Sequence, residues 1–487
     1  MRGTLLLLAL ATATTLPITA QEPEFRRLDG SRITSSDVDR DLARLMAAAE
    51  VPGAGVVLFN HGRVVYTKTL GVRDTDKKLL LTKDSVLHAA SFTKVAFAYM
   101  VMQLVDEKVL HLDQPVYKYL PKPLPEYERY KDLAGDLRYQ RITARMLLDH
   151  TSGFPNFRWL NDDHKLNINF DPGSRYAYSG EGMELLQMVV ETITKKPLEE
   201  LMQERVFRPL GMTRTSMVWQ TAFESDYANG YDEYGRSLGP LRFRQADAAG
   251  SMSTTLADFS RFLEAIMSGR GLSKKTRELM LAPQIQILSK HQFPTLASET
   301  TNVNDPIHLS YGLGWGIYQT PYGKAFFKEG HADGFRNYTV CFDKSGTGLV
   351  VMTNSANGEG IYKELLETLL RNTFTPIEWE GFTPYDQLPP RAPLKQHKEV
   401  ALDPATLDKY AGRYRVSADL VEIVSREGTH LTIKEGDESY EMFAASDHDF
   451  FSKTADDEIS FVIDSQGHVT EMVLQTGGRA MHCKRID

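Results

Sequence analysis

Strand-forming runs stand at both ends of segment 21–382, and mostly helical patterns broken by Pro- and Gly-rich loops fill residues 91–300 between them. The upstream runs are Ala54–Phe59 and Val64–Leu70, joined through Asn60-His61-Gly62, a hairpin signal. The downstream runs are Ala325–Lys328, Tyr338–Phe342 and Leu349–Thr353, the last two separated by the turn Asp343-Lys-Ser-Gly-Thr-Gly348. Asp37–Glu50 carries Val38, Leu42, Leu45 and Met46 at helical spacing and stops before Pro52-Gly53, and a second such pattern covers Ile361–Leu370. One antiparallel sheet built from both ends accommodates all five strands. The terminal helices then cover one face and the insertion forms an all-helical lobe, an α/β (α+β) arrangement.

Beyond this domain the pattern changes. The Pro-rich stretch Thr383-Pro-Tyr-Asp-Gln-Leu-Pro-Pro-Arg-Ala-Pro393 reads as a linker, placed at 383–402. Short alternating segments follow at Gly412–Val416, Leu420–Ser425, His430–Lys434, Glu458–Ile463 and His468–Leu474, with Gly and Asp between them. That pattern predicts a small all-β barrel or sandwich over 403–487. At the other end, Arg2, the apolar run Leu5–Leu10 and Pro17-Ile-Thr-Ala20 predict a secretory leader over 1–20, hence a periplasmic or secreted protein. No later stretch approaches the roughly 20 apolar residues of a transmembrane helix.

Composition excludes several function classes. Among 487 residues, 56 Lys and Arg against 64 Asp and Glu leave a net charge of −8, which supplies no field to displace counterions from nucleic acid. Only Cys341 and Cys483 occur, so no disulfide framework, thiolate zinc site or iron–sulfur cluster is expected. No His-Glu-x-x-His pattern occurs, so neither a catalytic metal nor another cofactor is expected. The expected partner is a small-molecule or peptide substrate. The oligomeric state stays open.

Four segments carry candidate chemistry. Ser91-Phe-Thr-Lys94 opens the apolar helical run Val95–Leu104, and a spacing of three puts Ser91 and Lys94 on one face. A serine needs a neighbouring base to become a nucleophile, and a lysine driven toward its neutral form by burial can be that base. The alternative is an N-cap serine beside a lysine that snorkels to solvent. Tyr178, in Phe170-Asp-Pro-Gly-Ser-Arg-Tyr-Ala-Tyr178-Ser179-Gly180, could exchange a proton under the influence of Lys94, or could simply close a small core. His331, in Lys328-Glu-Gly-His331-Ala-Asp-Gly334, lies between two strand patterns, with Gly334 N–H a candidate oxyanion donor; an incidental surface turn is the other reading. Asp149 and His150, in Leu147-Leu-Asp-His-Thr-Ser-Gly153, invite a triad, yet the following residues look like a structural turn.

The order of these segments, with Ala249-Gly-Ser-Met-Ser-Thr254, Asp258 and Tyr311-Gly-Leu-Gly-Trp315 between them, resembles the family of class C β-lactamases, penicillin-binding proteins and family VIII-type serine esterases over about residues 35–375. The resemblance implies a sandwich domain with a helical lobe. It implies Ser91 as acylated nucleophile and Lys94 and Tyr178 as the proton-transfer pair. His331 would stand at the third motif, where β-lactamases usually carry Lys. Tyr410-Ala-Gly-Arg-Tyr414 is similar to the lipocalin-like barrel appended to many such hydrolases. Two departures stand out: Gly180 replaces a frequent Asn, and His-Ala-Asp-Gly replaces Lys/His-x-Gly. Both favour a serine hydrolase acting on ester or amide (D-amino-acid peptide-like) substrates over a true β-lactamase, with an inactive binding protein on the same scaffold as the reading from another class.

Overall fold

The computed structural model describes residues 22–161, 163–389, 397–416, 421–435, 438–453, 457–476 and 479–487. The expected leader and part of the Pro-rich stretch lie outside the described residues. Thr34 caps helix α1 (Ser35–Ala48): its hydroxyl accepts from Asp37 N–H while the Asp37 carboxylate accepts from Thr34 N–H, a reciprocal box. This cap starts the helix at Ser35, two residues before the expected Asp37. Strands β1 (Gly53–Asn60) and β2 (Arg63–Asp74) follow, then α2 (Phe92–Asp106), α3 (Gly180–Thr194) and α4 (Leu256–Ser268) of the inserted region. The chain returns through β3 (Gly316–Thr320), β4 (Gly323–Ala332), β5 (Phe335–Phe342) and β6 (Gly348–Thr353), and α5 (Tyr362–Leu370).

Both ends of the domain do build one antiparallel sheet of nine strands. Its order is Ile285–Gln286, Ser310–Tyr311, β3, β4, β5, β6, β1, β2, Leu79–Leu80. Alternation along each strand divides the apolar residues between two layers. Val56, Leu58, Phe327, Val340 and Val351 pack against Val38 and Leu42 of α1 and Leu365 and Leu369 of α5. Val57, Phe59, Phe326, Cys341 and Val350 face α2, α4 and the helical region. Helix α2 is buried on every side, from Phe92 through Met102 and at Leu104, which is where a helix apolar all round belongs. That burial fixes its first turn, and with it Ser91, between the sheet and the lobe.

β4 is paired unevenly. β3 covers it only from Gly323 to Phe327, whereas β5 pairs with it from Ala325 to Ala332. Among the described residues, Lys328–Ala332 therefore has one free backbone edge. On the neighbouring strand, Asn337 of the sequon Asn337-Tyr-Thr339 is fully buried and donates through Nδ2 to His88 O at 3.0 Å. The folded chain cannot present it for glycosylation.

The C-terminal segment forms a closed eight-stranded barrel rather than a sandwich. Gly412–Arg415 and Arg479–Arg485 close it through Tyr414 opposite Arg485. Three strands beyond those expected, Glu438–Ala444, Asp449–Phe451 and Arg479–Arg485, complete the ring. Its interior is filled by Tyr414, Leu431, Met442, Phe461 and Met472, among others. Cys341 and Cys483 are both buried free thiols.

Candidate active site

The short strand Val86–His88 leads into α2 through a turn in which Ala90 takes φ +48°. A non-glycine residue in this region costs on the order of 1–2 kcal/mol. The turn is held from both sides: Thr93 Oγ1 donates to Ala90 O at 2.6 Å and accepts from Met252 N–H at 3.0 Å. Ser91 follows at the N-cap position with helical φ and ψ of −70° and −1°, and its side chain makes no capping hydrogen bond. Its Oγ instead lies 3.1 Å from Lys94 Nζ. Lys94 is 1% exposed, so it does not snorkel to solvent. An unpaired buried ammonium would cost several kcal/mol. Here Ser91 Oγ and the carbonyl of Ala249 accept its hydrogen bonds. The capping reading of Ser91 is thereby excluded.

Tyr178 closes the other side of this pair. Its ring centroid is 4.9 Å from Lys94 Nζ, and its residue is buried. The backbone beyond it is fixed by Ser179, which caps α3 by accepting from Gly182 N–H at 2.9 Å and donates to Pro155 O at 2.8 Å. Ser179 N–H in turn donates to His150 Nδ1 at 3.2 Å. Burial, reinforced by Lys94 and Lys328, holds the His150 pKa well below the usual histidine range. The ring is therefore neutral and carries its proton on Nε2, with its centroid 4.4 Å from that of Tyr178. Asp149 does not orient it: its carboxylate accepts from Thr151 Oγ1 at 2.7 Å, and burial pushes its pKa up to about 7. His150 is a strut for the Tyr178 turn, not a member of a triad.

The residue that meets the Tyr178 hydroxyl is one the motif order overlooked. Lys328 Nζ lies 3.2 Å from Tyr178 Oη and 4.7 Å from the ring centroid. It is completely buried and paired with Glu329 at 2.5 Å. Burial disfavours its charge, but Glu329 and then the Tyr178 oxygen outweigh that and hold its pKa above the usual lysine range. Glu329 also accepts from Gln292 Nε2 at 3.0 Å. The signal was present as Lys328-Glu329-Gly330, itself a Lys-x-Gly. Gly330 is required by close approach: a Cβ there would stand 2.7 Å from Ala89 O, in the segment leading to Ser91.

His331 is not brought to this cluster, which corrects the expectation for the third motif. It sits opposite Arg336 on the sheet face that carries Tyr338, whereas Lys328 sits opposite Thr339 on the face toward α2. A separation of three along a strand reverses the face. The His331 side chain is 55% exposed and its Nδ1 lies 3.3 Å from Glu359, a carboxylate shared with Arg336. Gly334 lies beyond the end of β4. It occupies the turn between β4 and β5 at φ +71°, and a Cβ there would stand 2.6 Å from Gly230 Cα. Gly180 lacks room for any side chain, because the Phe157 ring would be 2.4 Å from its Cβ. Of the remaining motif segments, Ala249 reaches the site through its carbonyl on Lys94 and the Tyr311 ring lies 4.9 Å from His150, whereas the Asp258 carboxylate is taken up by Arg214 N–H, Thr215 and Arg261.

A family model described as "Beta-lactamase" matches residues 38–370, most of the chain. The chain belongs to the Beta-lactamase family. This is the class of serine hydrolases to which the motif order points, and the match spans the sheet, α2 and the helical region. A second model, a domain of unknown function (DUF3471), matches residues 396–485, the barrel. The chain is 22% identical to penicillin-binding protein 4* of Bacillus subtilis, over 84% of this chain and 89% of that protein. It is 24% identical to protein flp of Staphylococcus aureus, over 70% of this chain and 67% of that one. Two solved structures share the fold. The octameric penicillin-binding protein homologue from Pyrococcus abyssi has TM-score 0.57 and 21% identity, covering 93% of this chain and 100% of its own. The D-alanine carboxypeptidase AmpC from Burkholderia cenocepacia has TM-score 0.55 and 20% identity, covering 68% and 98%.

Proposed function

We propose that this protein is an exported serine hydrolase that forms an acyl-enzyme on Ser91 and hydrolyses ester or amide substrates. The observation that carries this reading is the 3.1 Å approach of Lys94 Nζ to Ser91 Oγ, made possible because the serine hydroxyl caps nothing. In the first step Ser91 Oγ attacks the carbonyl carbon while its proton passes, along the Lys94 hydrogen bond, to Tyr178 in its phenolate form, held between Lys94 and Lys328. The carbonyl oxygen becomes an oxyanion at the start of α2, where Ser91 N–H and the positive end of the helix dipole meet it; the N–H groups of Phe92, Thr93 and Lys94 are already bonded to backbone carbonyls. The second donor comes from the free edge of β4 over Lys328–Ala332, beside Gly330, rather than from Gly334. Tyr178 then hands the proton to the leaving group, with Lys328 stabilising negative charge on the phenol oxygen. Water enters, the same groups accept its proton, and the acyl group leaves as a carboxylic acid. The relatives' penicillin-binding names support acyl transfer of this kind. The leader read in residues 1–20 supports export; among the described residues no helix is long and apolar enough to cross a membrane.

Turnover of short-chain nitrophenyl esters and of a chromogenic cephalosporin, with Ser91→Ala as the control, tests the reading. Ester turnover that vanishes in the variant is the expected result. Turnover that survives it would remove Ser91 from the mechanism.

A further inference from the structure

The surroundings of Tyr178 carry two features that bear on substrate class. The first is charge. Lys328 is the cation at the phenol, and Glu329 neutralises it within the protein at 2.5 Å. Behind Glu329 lies a second buried carboxyl, Glu380, which burial and then Glu329 push well above the usual carboxylate range and whose Oε2 accepts from the Tyr338 hydroxyl at 2.9 Å. A substrate carboxylate placed beside Lys328 would find its charge already compensated and would meet the field of Glu329. Lys94 is already engaged, donating to Ser91 Oγ and Ala249 O.

The second feature is an aromatic rim. Phe157 fills the space that a side chain at position 180 would need, so the turn after Tyr178 presents a ring where a polar side chain could have stood. Trp159 stacks on Phe157 with centroids 4.1 Å apart and planes 13° from parallel, yet remains 49% exposed. Phe293 meets the Tyr178 ring edge-on at 5.8 Å and is 45% exposed. Phe293 beside the Tyr178 ring, and Trp159 stacked on the ring that abuts Gly180, are large aromatic side chains left half in water, surface that an apolar ligand can cover.

We propose that Phe157, Trp159 and Phe293 form the subsite for an aryl or other apolar group of an uncharged ester, and that Glu329 disfavours substrates bearing a carboxylate near the scissile bond. The proposal rests on the serine-hydrolase reading above and narrows it to neutral, apolar acyl esters, away from peptides that present a free carboxylate. The reaction itself is unchanged: the ester C–O bond breaks, the alcohol departs with a proton, and water supplies the hydroxyl of the released acid.

The test compares kcat/KM for four nitrophenyl esters, the acetate, phenylacetate, pentanoate and hemisuccinate, in the full chain and in Trp159→Ala, Phe293→Ala, Glu329→Gln and Ser91→Ala. Ratios between substrates are read, because they do not depend on the fraction of each variant that is folded. The wild-type phenylacetate-to-acetate ratio should be at least about tenfold, within the range that hydrophobic pockets achieve. It should fall about tenfold in Trp159→Ala or Phe293→Ala. The pentanoate-to-hemisuccinate ratio should favour pentanoate at least about tenfold and collapse toward one in Glu329→Gln. Unmoved ratios, with turnover still abolished by Ser91→Ala, overturn the subsite while leaving the hydrolase reading intact. Turnover surviving in Ser91→Ala, or no turnover of any ester by the wild type, overturns both.

Discussion

Lys328 Nζ stands 3.2 Å from the hydroxyl of Tyr178, although 150 residues of chain separate them. In the proposed site of Ser91, Lys94 and Tyr178, the phenol is held between two lysines, Lys94 from the helix and Lys328 from the strand. Replacing Lys328 with Met should keep much of the apolar stem while removing the charge. A loss of about 10²–10³ in kcat is expected, the scale of removing a preorganised electrostatic contact. His331→Ala should change kcat by less than about threefold, because that side chain faces the other layer. Steady-state kinetics of the two variants side by side distinguish them, and a larger loss at His331 would contradict the assignment.

Gly180 and Phe157 should be coupled. Gly180→Asn forces a side chain into a ring 2.4 Å from the new Cβ, and overpacking of this kind costs about 1–3 kcal/mol. Denaturant melts should show that loss. The double variant Gly180→Asn, Phe157→Ala should recover part of it, a non-additivity that independent sites would not show.

Asp149 makes stability depend on pH in a direction opposite to an ion-paired carboxylate. Its pKa rises from 3.8 to about 7 on folding, so between those values the folded chain holds a proton that the unfolded chain releases. Stability from this group is therefore present at low pH and lost as pH rises from about 4 to 7. Asp149→Asn removes that dependence. Its stability relative to the wild type, measured by urea unfolding, should increase across this window and level off above it. A difference that is flat with pH would show that Asp149 titrates normally.

The parts of the fold and site that were legible in the sequence are those set by local periodicity. Ser91 and Lys94 share a helix face because they are three apart, and α2 is buried because its run Val95–Leu104 is apolar on all sides. The sheet was legible from strand runs at both ends of the domain. Lys328 was not, because which face a strand residue takes depends on register with β5, and Lys-x-Gly sits three residues before the more conspicuous His331. The strand Asp449–Phe451 is too short, at 3 residues, to show alternation, and it forms only because its neighbours pair with it. The expected helix start at Asp37 came late by a capping turn, which polarity rather than apolar spacing marks.

The central claim is that Ser91 is made nucleophilic by its neighbours Lys94 and Tyr178. The most direct measurement is the rate at which a fluorophosphonate phosphonylates the intact protein, with loss of fluoride, followed by mass spectrometry of the digest. The account predicts a single adduct on the peptide holding Ser91, forming at least about a hundredfold more slowly in Lys94→Met. An adduct on another serine, or equal rates in the two proteins, would contradict it.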